Sequence, residues 1–536
     1  MSARTQTRSL VLAFIALGIA GALLAVIAVA PPTLARSARP NEGLRVLSPG
    51  ERPSGSRTPG SLSALQKRAL IKGYLVPDQQ GYELAKAAAD RKAAAGTGQE
   101  APFAPASAAP TSFRSWQGAR DAGGAPSDST GAIGPGRYVE LVNSRYAIYN
   151  RTSNVPINQG SLNDLVGAAA LESVFDPQII WDPTTNRFYY AADDVLDSAN
   201  NFLAFGFSKD STPDAGPSDW CQYFVAYGAD FPDYPKLGDT RDFVMIGSNV
   251  FPAAGGFHSS LDWIRKPPAG AGCPNLSSGV KTDLRNSDGT QAITPVPANQ
   301  TDTSPTGYVV AEPASVPNGA GPAGFLSLFT VSSNTDGTLA LSAPRNVTVP
   351  GYDLPANAPQ RGTTRRLDTS DSRNTQAVSA IDPSRGTGGL TALWTQHTVF
   401  GGAGAQVRWY EINPASATLF QRGTVSGSSA NGVFDFNGAI SPDRKVLGTT
   451  RKFGSSMILG YNSSSATQFP SVQMISKVGS NAASAGTLVK ASAASLQNFD
   501  CSDPNFPGVC RWGDYSAATP DPGSSTTTTH GQVWLT

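Results

Sequence analysis

The amino-acid sequence predicts an all-β protein whose main part is a single β-propeller. Three observations support this prediction. Gly and Pro together make up 96 of the 536 residues, too many for a helix bundle or a coiled coil. The 23 Phe, 15 Tyr and 8 Trp residues suit strands, where aromatic side chains are enriched. From residue 113 onward, short β-like runs alternate with turn-forming clusters, and one hairpin pattern recurs.

The recurring hairpin consists of a short run of small or apolar residues, a turn centred on Pro, and a β-rich run. Five copies are clear, with turn segments at residues 131–135, 179–183, 379–383, 438–442 and 517–520. Two weaker copies lie at residues 236–242 and between residues 307 and 331. Seven copies at a mean spacing of about 64 residues, each with room for four strands, predict a propeller of seven blades. Six and eight blades are the alternatives.

The N-terminus predicts export. Arg4 and Arg8 precede an apolar run over residues 10–30, two prolines end it, and small residues follow. This layout is typical of a secretory signal peptide over residues 1–35. The run is also long enough to span a bilayer, so an uncleaved signal anchor is the alternative, with residues 10–30 as the only membrane contact. In both cases we expect the propeller outside the cytoplasm, secreted or anchored to the membrane.

Residues 36–112 have the composition of a linker, rich in Pro, Ser, Gly, Arg and Ala. Two stretches, 61–74 and 78–95, have helical composition, which predicts a marginal helix in a flexible, low-complexity segment. A propeptide that docks on the main domain is the alternative. The propeller is expected over residues 113–536.

The four cysteines fall into two local pairs, which predicts the disulfides Cys221–Cys273 and Cys501–Cys510. Neither pair has the spacing of a metal or redox site. Disulfides fit an oxidising compartment outside the cytoplasm.

Four motifs resemble a group of secreted bacterial β-propellers of the sialidase-like class, whose repeats are known as BNR repeats or Asp boxes. They are PSDSTGAIGPGRYVELVNSRYAIYN, DYPKLGD, VRWYEINP and CRWGDYSAATPDP, in this order. The resemblance implies the fold and export, but not an activity, because most such propellers have none established. Only a fragment of the Asp box, at residues 335–338, is present.

The composition and motifs favour binding over catalysis. A net charge of +1 offers no field for a polyanion, so we expect no nucleic-acid partner. The three His residues lie in unrelated contexts, Glu is scarce in the propeller, and no catalytic motif is found. The GxGxxG match at residues 319–324 leads into a strand rather than a helix, so it does not predict a nucleotide site. We assign no catalytic residues and expect a monomeric binding module for a glycan, a protein or a cell-surface ligand. A glycoside hydrolase or polysaccharide lyase with its site in the funnel is the alternative.

An Asp six or seven residues before the turn Pro recurs in four hairpins. If the strand that enters the turn lines the channel, these carboxylates gather at one mouth, with Arg511 beside them. The candidate polar ring is Asp128, Asp176, Asp435, Asp514 and Arg511. We expect mainly backbone and Arg partners, since buried carboxylates are usually hydrogen-bonded. Binding of a glycan or Ca²⁺ there is the alternative, and no cofactor is required.

Three smaller features each allow a functional and a structural interpretation. Trp512 and Tyr515 are candidates for stacking on a sugar ring, with packing between blades as the alternative. The acidic groups at residues 193–197 and 230–233 are oxygen-rich and could hold Ca²⁺, although solvated loops are the expected reading.

Overall fold

The computed structural model describes residues 43–51, 61–67, 75–96, 109–112, 114–120, 126–170, 172–425, 432–444, 453–497, 501, 508–523 and 531–536. The predicted signal segment, residues 1–35, lies outside these ranges. No helix among the described residues is both long enough and apolar enough to cross a membrane.

Two elements of the predicted linker are described, and both contact the propeller. Strand β1 (Arg45–Leu47) pairs antiparallel with the outer strand of the third blade. Helix α1 (Gln79–Ala94) begins at Asp78, whose side chain accepts a hydrogen bond from the backbone N–H of Gly81. Such an N-cap satisfies one of the free donors of the first turn.

The first three blades are antiparallel sheets formed by consecutive strands. Blade 1 contains β2 (Thr130–Ile133), β3 (Arg137–Val142), β4 (Arg145–Asn150) and β5 (Pro156–Ser161). Blade 2 follows the short helix α2 (Leu162–Val166) and contains β6 (Ser173–Asp182), β7 (Arg187–Asp197), β8 (Asn200–Ser208) and β9 (Trp220–Gly228). A 3₁₀ turn at Gly216–Asp219 precedes β9. Blade 3 contains β10 (Phe231–Asp239), β11 (Phe243–Phe251), β12 (His258–Arg265) and β13 (Leu276–Thr282).

The next three blades repeat this order with additions at their edges. Blade 4 contains β14 (Ala292–Pro297), β16 (Gly307–Pro313), β17 (Ala323–Ser333), β18 (Leu339–Leu341) and β19 (Arg345–Tyr352). Blade 5 contains β21 (Gln376–Asp382), β22 (Leu390–Val399), β23 (Gln406–Asn413) and β24 (Thr418–Val425), and the short β15 (Asn299–Gln300) runs parallel to β21. Blade 6 contains β25 (Phe434–Pro442), β26 (Met457–Ser465), β27 (Gln468–Lys477) and β28 (Thr487–Ala491).

The propeller is therefore confirmed, but the prediction of seven blades is wrong, because the described residues form six. The seventh predicted copy, at residues 517–520, is a two-stranded hairpin of β30 (Ala518–Pro520) and β31 (Val533–Leu535). Its turn signals resemble those of the other copies, but only two strands follow from them. The hairpin contacts the first strands of blades 1 and 6 and so lies between these two blades.

One further pairing fixes the C-terminal region. The short strands β20 (Arg366–Leu367) and β29 (Val509–Cys510) run parallel.

Both predicted disulfides are present, and the described residues include no free cysteine. The Cys221–Cys273 disulfide joins β9 of blade 2 to the segment that precedes β13 of blade 3.

The hydrophobic core is divided into layers between neighbouring blades. Between blades 1 and 2, Trp181 and Phe188 pack against Leu141 and Ile148, all at most 6% exposed. Comparable clusters lie between blades 2 and 3, 3 and 4, 4 and 5, and 5 and 6. Because neighbouring blades pack face to face in this way, most inner strands consist largely of apolar residues. The few polar residues that are buried between the blades are therefore conspicuous.

Candidate functional site: an ionic cluster at the centre of the propeller

The first strands of four blades share a local distortion. Residues Asp176, Tyr234, Thr294 and Asn437 have φ between 48° and 62°, and the strand pairing shifts at each of them. Each is followed by Pro or Gly. A bulge of this kind bends the strand and redirects side chains. This bulge recurs in the first strands of four blades, and it places polar groups from several of them at the same height along the propeller axis.

Asp128 joins the beginning of the propeller to its C-terminal segment. Its Oδ1 accepts a hydrogen bond of 2.7 Å from the backbone N–H of Asp514, and its Oδ2 accepts one of 2.8 Å from Nδ2 of Asn143. Oδ1 of Asn143 in turn accepts a 2.8 Å bond from the backbone N–H of Asp176. Blade 1, blade 2 and the C-terminal segment are thus connected by one chain of buried hydrogen bonds.

The C-terminal segment also contributes Arg511 and Tyr515. Arg511 forms an ion pair with the carboxylate of Asp514. The hydroxyl of Tyr515 donates to the backbone carbonyl of Pro177 at 2.9 Å, and the hydroxyl of Tyr234 donates to the carbonyl of Asp514 at 3.0 Å. These bonds fix the two tyrosine rings 5.9 Å apart.

The ammonium of Lys236 lies between these two rings. Its Nζ is 3.4 Å from the centre of the Tyr234 ring and 3.9 Å from that of Tyr515, and it has no hydrogen-bond partner among the described residues. Aromatic faces attract a cation through their quadrupole. Lys236 is 1% exposed, and burial lowers its pKa while the nearby carboxylate of Asp176 opposes that change.

Asp176, Asp193 and Asp233 bring three carboxylates together beside this lysine. One oxygen from each lies within 4.8 Å of the other two, and all three residues are buried. Asp193 is on β7 and is completely inaccessible to solvent. Neither of its oxygens has a hydrogen bond of normal geometry, although the nearby backbone N–H of Tyr234 lowers the pKa of this carboxyl. We refer to these residues as the Asp triad.

Arg373 closes the cluster on the side of blades 4 and 5. Its Nε pairs with Asp371 at 2.8 Å, its NH1 donates to the Thr294 hydroxyl at 3.3 Å, and its guanidinium lies 4.5 Å from the centre of the Tyr234 ring. Thr294 and Asn249 also exchange two hydrogen bonds of 2.8 Å.

Burial shifts the protonation of the whole cluster. It raises the pKa of Asp128, Asp233 and Asp514 to about 7, against the opposing effect of Arg511 in each case. It also raises the pKa of Asp176, where Asp514 and Asp233 add to the effect. Burial also raises the pKa of Asp193 well above its usual range, and the charges of Asp176 and Asp233 add to this effect. Buried carboxyl groups with a pKa near 7 are typical of functional sites, but they also occur in structural networks of ion pairs.

Helix α1 covers the cluster. Tyr82 is 1% exposed and lies near enough to Arg373, Arg511 and Asp514 for their charges to act on its hydroxyl, whose pKa burial raises. One turn further on, Nζ of Lys86 donates to the carbonyls of Pro355 and Ser370 at 2.9 and 2.8 Å. The helix is therefore held over the cluster by buried polar contacts as well as by packing.

A tight approach of two glycines fixes the other side of this helix. A Cβ atom at Gly81 would lie 2.1 Å from the carbonyl oxygen of Asn318, and one at Gly319 would lie 2.3 Å from that of Gly81. The backbone at Gly319 also has φ of +73°, which favours glycine. The GxGxxG match at residues 319–324 thus begins in the loop that receives the helix, and its last two residues open β17.

The structure brings together most of the residues predicted for the polar ring. Asp128, Asp176, Asp514 and Arg511 belong to the cluster, and so does Tyr515, which was predicted to stack on a sugar. Asp435 is buried in β25, and the bulge position of this strand is Asn437. Burial raises the pKa of the neighbouring Tyr461, and the charge of Asp435 adds to this effect. Trp512 packs edge-on against Phe436 at 6.3 Å.

The expectation of solvated loops for the acidic groups is wrong for most of their members. Asp193 and Asp194 are fully buried in β7, and Asp233 is 4% exposed in β10. Sequence reasoning assigned no role to Tyr234 or Lys236, although both lie in the DYPKLGD motif. The signal that could have identified them is the repeat of a residue followed by Pro at 176–177, 234–235 and 294–295.

A second feature is an open groove between blades 3 and 4, with a volume of about 550 Å³. Its polar side is formed by the end of β13 and the loop that follows. Its apolar side is formed by β17, the end of β18 and the segment after it. The lining includes Lys281, Asp283, Arg285, Ser287, Phe329 and Leu341. Asp283 and Arg285 form an ion pair of 2.9 Å, and Ser287 donates to Asn346 at 2.9 Å.

No protein-family model and no curated protein sequence matches the chain. Several solved structures are similar in fold. The parainfluenza virus 5 hemagglutinin-neuraminidase with the ligand DANA has 9% identity and a TM-score of 0.35, covering 68% of this chain and 90% of that one. The Dos1 propeller has 10% identity and a TM-score of 0.33, covering 69% and 73%. A GH43_1 enzyme from Xanthomonas citri in complex with xylose has 12% identity and a TM-score of 0.28, covering 59% and 91%. At these values none of them bears on the function, and the propeller is established by the six sheets themselves.

Proposed function

We propose that this protein is an exported, non-catalytic propeller that binds a glycan in the groove between blades 3 and 4. The observation that carries the proposal is the burial of the central carboxylates. Asp128, Asp176, Asp193, Asp233 and Asp514 are at most 7% exposed, and Tyr82 of helix α1 lies near Asp514. A general acid or base must reach its substrate within hydrogen-bond distance, so these carboxylates would first have to be uncovered.

The groove offers the two kinds of contact that a sugar ring requires. Lys281 and Ser287 offer polar contacts for hydroxyl groups, and Leu341, over the buried ring of Phe329, offers an apolar surface for the C–H face of a sugar. Arg285 is engaged by Asp283 and by the carbonyl of Gly289, so Lys281 is the cation of the groove that we expect to contact an acidic group of an oligosaccharide. Membership of the sialidase-like group and export remain predictions from the sequence, and the two disulfides support export.

A glycan array probed with the purified chain tests this proposal. We expect binding to acidic oligosaccharides at micromolar concentrations, a loss of at least tenfold in affinity for Lys281→Ala, and no release of reducing sugar. Lys209→Ala is a matched control, because Lys209 is a lysine outside the groove and is bonded to the carbonyl of Ser218. Equal binding by wild type and Lys281→Ala would contradict the groove as the site.

A carbohydrate-active enzyme is the second candidate, favoured by the buried carboxyls whose pKa lies near 7. It requires the channel to open at helix α1. Release of reducing sugar by the wild-type chain, abolished by Asp233→Asn, would establish this alternative and overturn the proposal of a non-catalytic module.

A further inference from the structure

We propose that Asp176, Asp193 and Asp233 form a binding site for a divalent cation, Ca²⁺, at the centre of the propeller. The site is separate from the groove and does not depend on the glycan proposal. The three carboxylates come from β6, β7 and β10, so the cation would connect the first two strands of blade 2 to the first strand of blade 3.

The spacing of the oxygens suits this ion. One oxygen from each carboxylate lies within 4.8 Å of the others, and Ca²⁺ binds oxygen ligands at about 2.3–2.6 Å, so that three such atoms can share one ion. The remaining positions of a six- to eight-coordinate ion would be taken by water or backbone carbonyls. A Mg²⁺ ion demands a stricter octahedron, and a triad without other fixed ligands does not impose one.

Asp193 provides a second and independent reason. Its side chain is completely inaccessible to solvent, one of its oxygens belongs to the triad, and neither oxygen has a hydrogen bond of normal geometry among the described residues. A buried carboxylate normally accepts several hydrogen bonds, because leaving it without them costs free energy. The backbone N–H of Tyr234 is near this carboxylate but forms no bond of normal geometry with it, and a cation would supply the partner that both oxygens need.

The balance of charge points to the same ion. Among the described residues, carboxyl groups outnumber cations around the triad by eight to four: Asp128, Asp176, Asp193, Asp233, Asp371, Asp514, Asp368 and Glu312 against Lys236, Arg373, Arg511 and Lys86. Buried charges that are not compensated destabilise a fold strongly. Protons could compensate part of this excess, and a divalent cation compensates two charges without them.

Lys236 donates no hydrogen bond to the triad. Its ammonium faces the rings of Tyr234 and Tyr515. It is nevertheless close enough to all three carboxylates of the triad for its charge to act on them. The ammonium of Lys236 should therefore weaken the binding of Ca²⁺ by repulsion. Replacing Lys236 by a neutral residue should increase the affinity of the site for Ca²⁺.

The test uses the full chain, stripped with EDTA and dialysed, in calorimetric titrations and thermal melts with CaCl₂. We expect one Ca²⁺ per chain and a rise in Tm of about 4 °C at a hundredfold excess over Kd. Asp193→Asn should abolish both effects. Asp194→Asn is the matched control, because Asp194 is equally buried on the same strand but lies outside the triad, and it should keep both effects.

Two results would overturn the proposal: a wild-type Tm and heat signal that do not respond to CaCl₂, or an equal loss of response in the Asp193 and Asp194 variants. Should Asp193→Asn fail to fold, terbium luminescence decides on folded protein. Three results together support the site. The neighbouring tyrosines sensitise terbium emission, Ca²⁺ displaces the terbium and abolishes this emission, and wild type requires a higher Ca²⁺ concentration for the displacement than Lys236→Met. Absence of emission in the wild-type protein contradicts it.

Discussion

The backbone N–H of Asp514 donates a 2.7 Å hydrogen bond to Oδ1 of Asp128, a residue 386 positions earlier in the chain. This bond connects the segment just before blade 1 to the segment that follows blade 6. It therefore lies where the ring of blades closes, and it is buried.

Removal of this acceptor should weaken the ring. Asp128→Ala would leave the Asp514 N–H without its acceptor, whereas Nδ2 of Asn143 would keep its bond to the carbonyl of Pro126, and a stranded buried donor costs about 1–3 kcal/mol. We expect the free energy of unfolding to fall by about 2 kcal/mol, measured by denaturant titration. Asp336→Ala, at an exposed turn, is the control and should change it by less than about 0.5 kcal/mol. If Asp128→Ala instead keeps the wild-type stability but loses a ligand, the ring is a binding site rather than a structural one.

The raised carboxyl pKa values predict an unusual dependence of stability on pH. Asp233 has a folded pKa of about 7 and an unfolded pKa of about 3.9, so between these values the folded state binds more protons than the unfolded state. Its contribution to stability is therefore present below about pH 4 and is lost as the pH rises to 7. In EDTA, Asp233→Asn should gain stability over wild type as the pH rises through this window, by on the order of 4 kcal/mol at pH 7. A difference between the two proteins that is constant from pH 4 to 7 would contradict the assigned shift.

The approach of two glycines predicts how helix α1 can be released. Gly319→Ala should separate the helix from its loop, because the new Cβ would lie 2.3 Å from the carbonyl oxygen of Gly81 and the φ of +73° is strained for Ala. Hydrogen exchange should show faster exchange at residues 79–94, with blades 1–6 still protected. Gly324→Ala is the control, since its Cβ would have 3.7 Å to the nearest atom. Unchanged protection of the helix in Gly319→Ala would contradict this contact.

The two disulfides should differ in their effect on stability. Cys221 and Cys273 are separated by 52 positions, and Cys501 and Cys510 by 9. In the chain-entropy model the longer loop gives about 4 kcal/mol of stabilisation and the shorter about 2.7 kcal/mol. Replacing each pair by Ser and measuring unfolding in denaturant checks the order. A larger loss from the shorter loop would show that native packing, not loop length, dominates.

The fold was predictable because four of the six blades carry the same turn between their first and second strands, at residues 131–135, 179–183, 379–383 and 438–442. A Pro turn followed by a β-rich run reflects local constraints that act in each copy separately. The number of blades was not predictable in the same way. The last copy carries the turn signal at residues 517–520, but its described residues supply two strands, and a turn does not determine how many strands follow it.

The site was predictable only in part, because its residues were located by their distance from the turn Pro, which is the wrong reference position. Distances from the turn Pro identified Asp128 and Asp176, but selected Asp435 instead of Asn437. The bulge lies seven residues before the Pro at Asp176 and five before it at Asn437, so the register is set by the bulge rather than by the turn. Lys236 was missed because lysine is rarely buried, and its burial depends on Tyr515, which comes from a distant part of the chain.

The order in which the cluster is synthesised has a consequence for folding. Asp128, Asp176, Asp193, Asp233 and Lys236 all leave the ribosome before Arg511 and Asp514, which follow Lys236 by about 275 residues, on the order of half a minute of translation. Until then the carboxylates lack the positive charge of Arg511, and Asp128 lacks the hydrogen bond from the Asp514 N–H. These side chains are better solvated in an open chain, so the centre of the propeller can assemble only after its last segment has been synthesised.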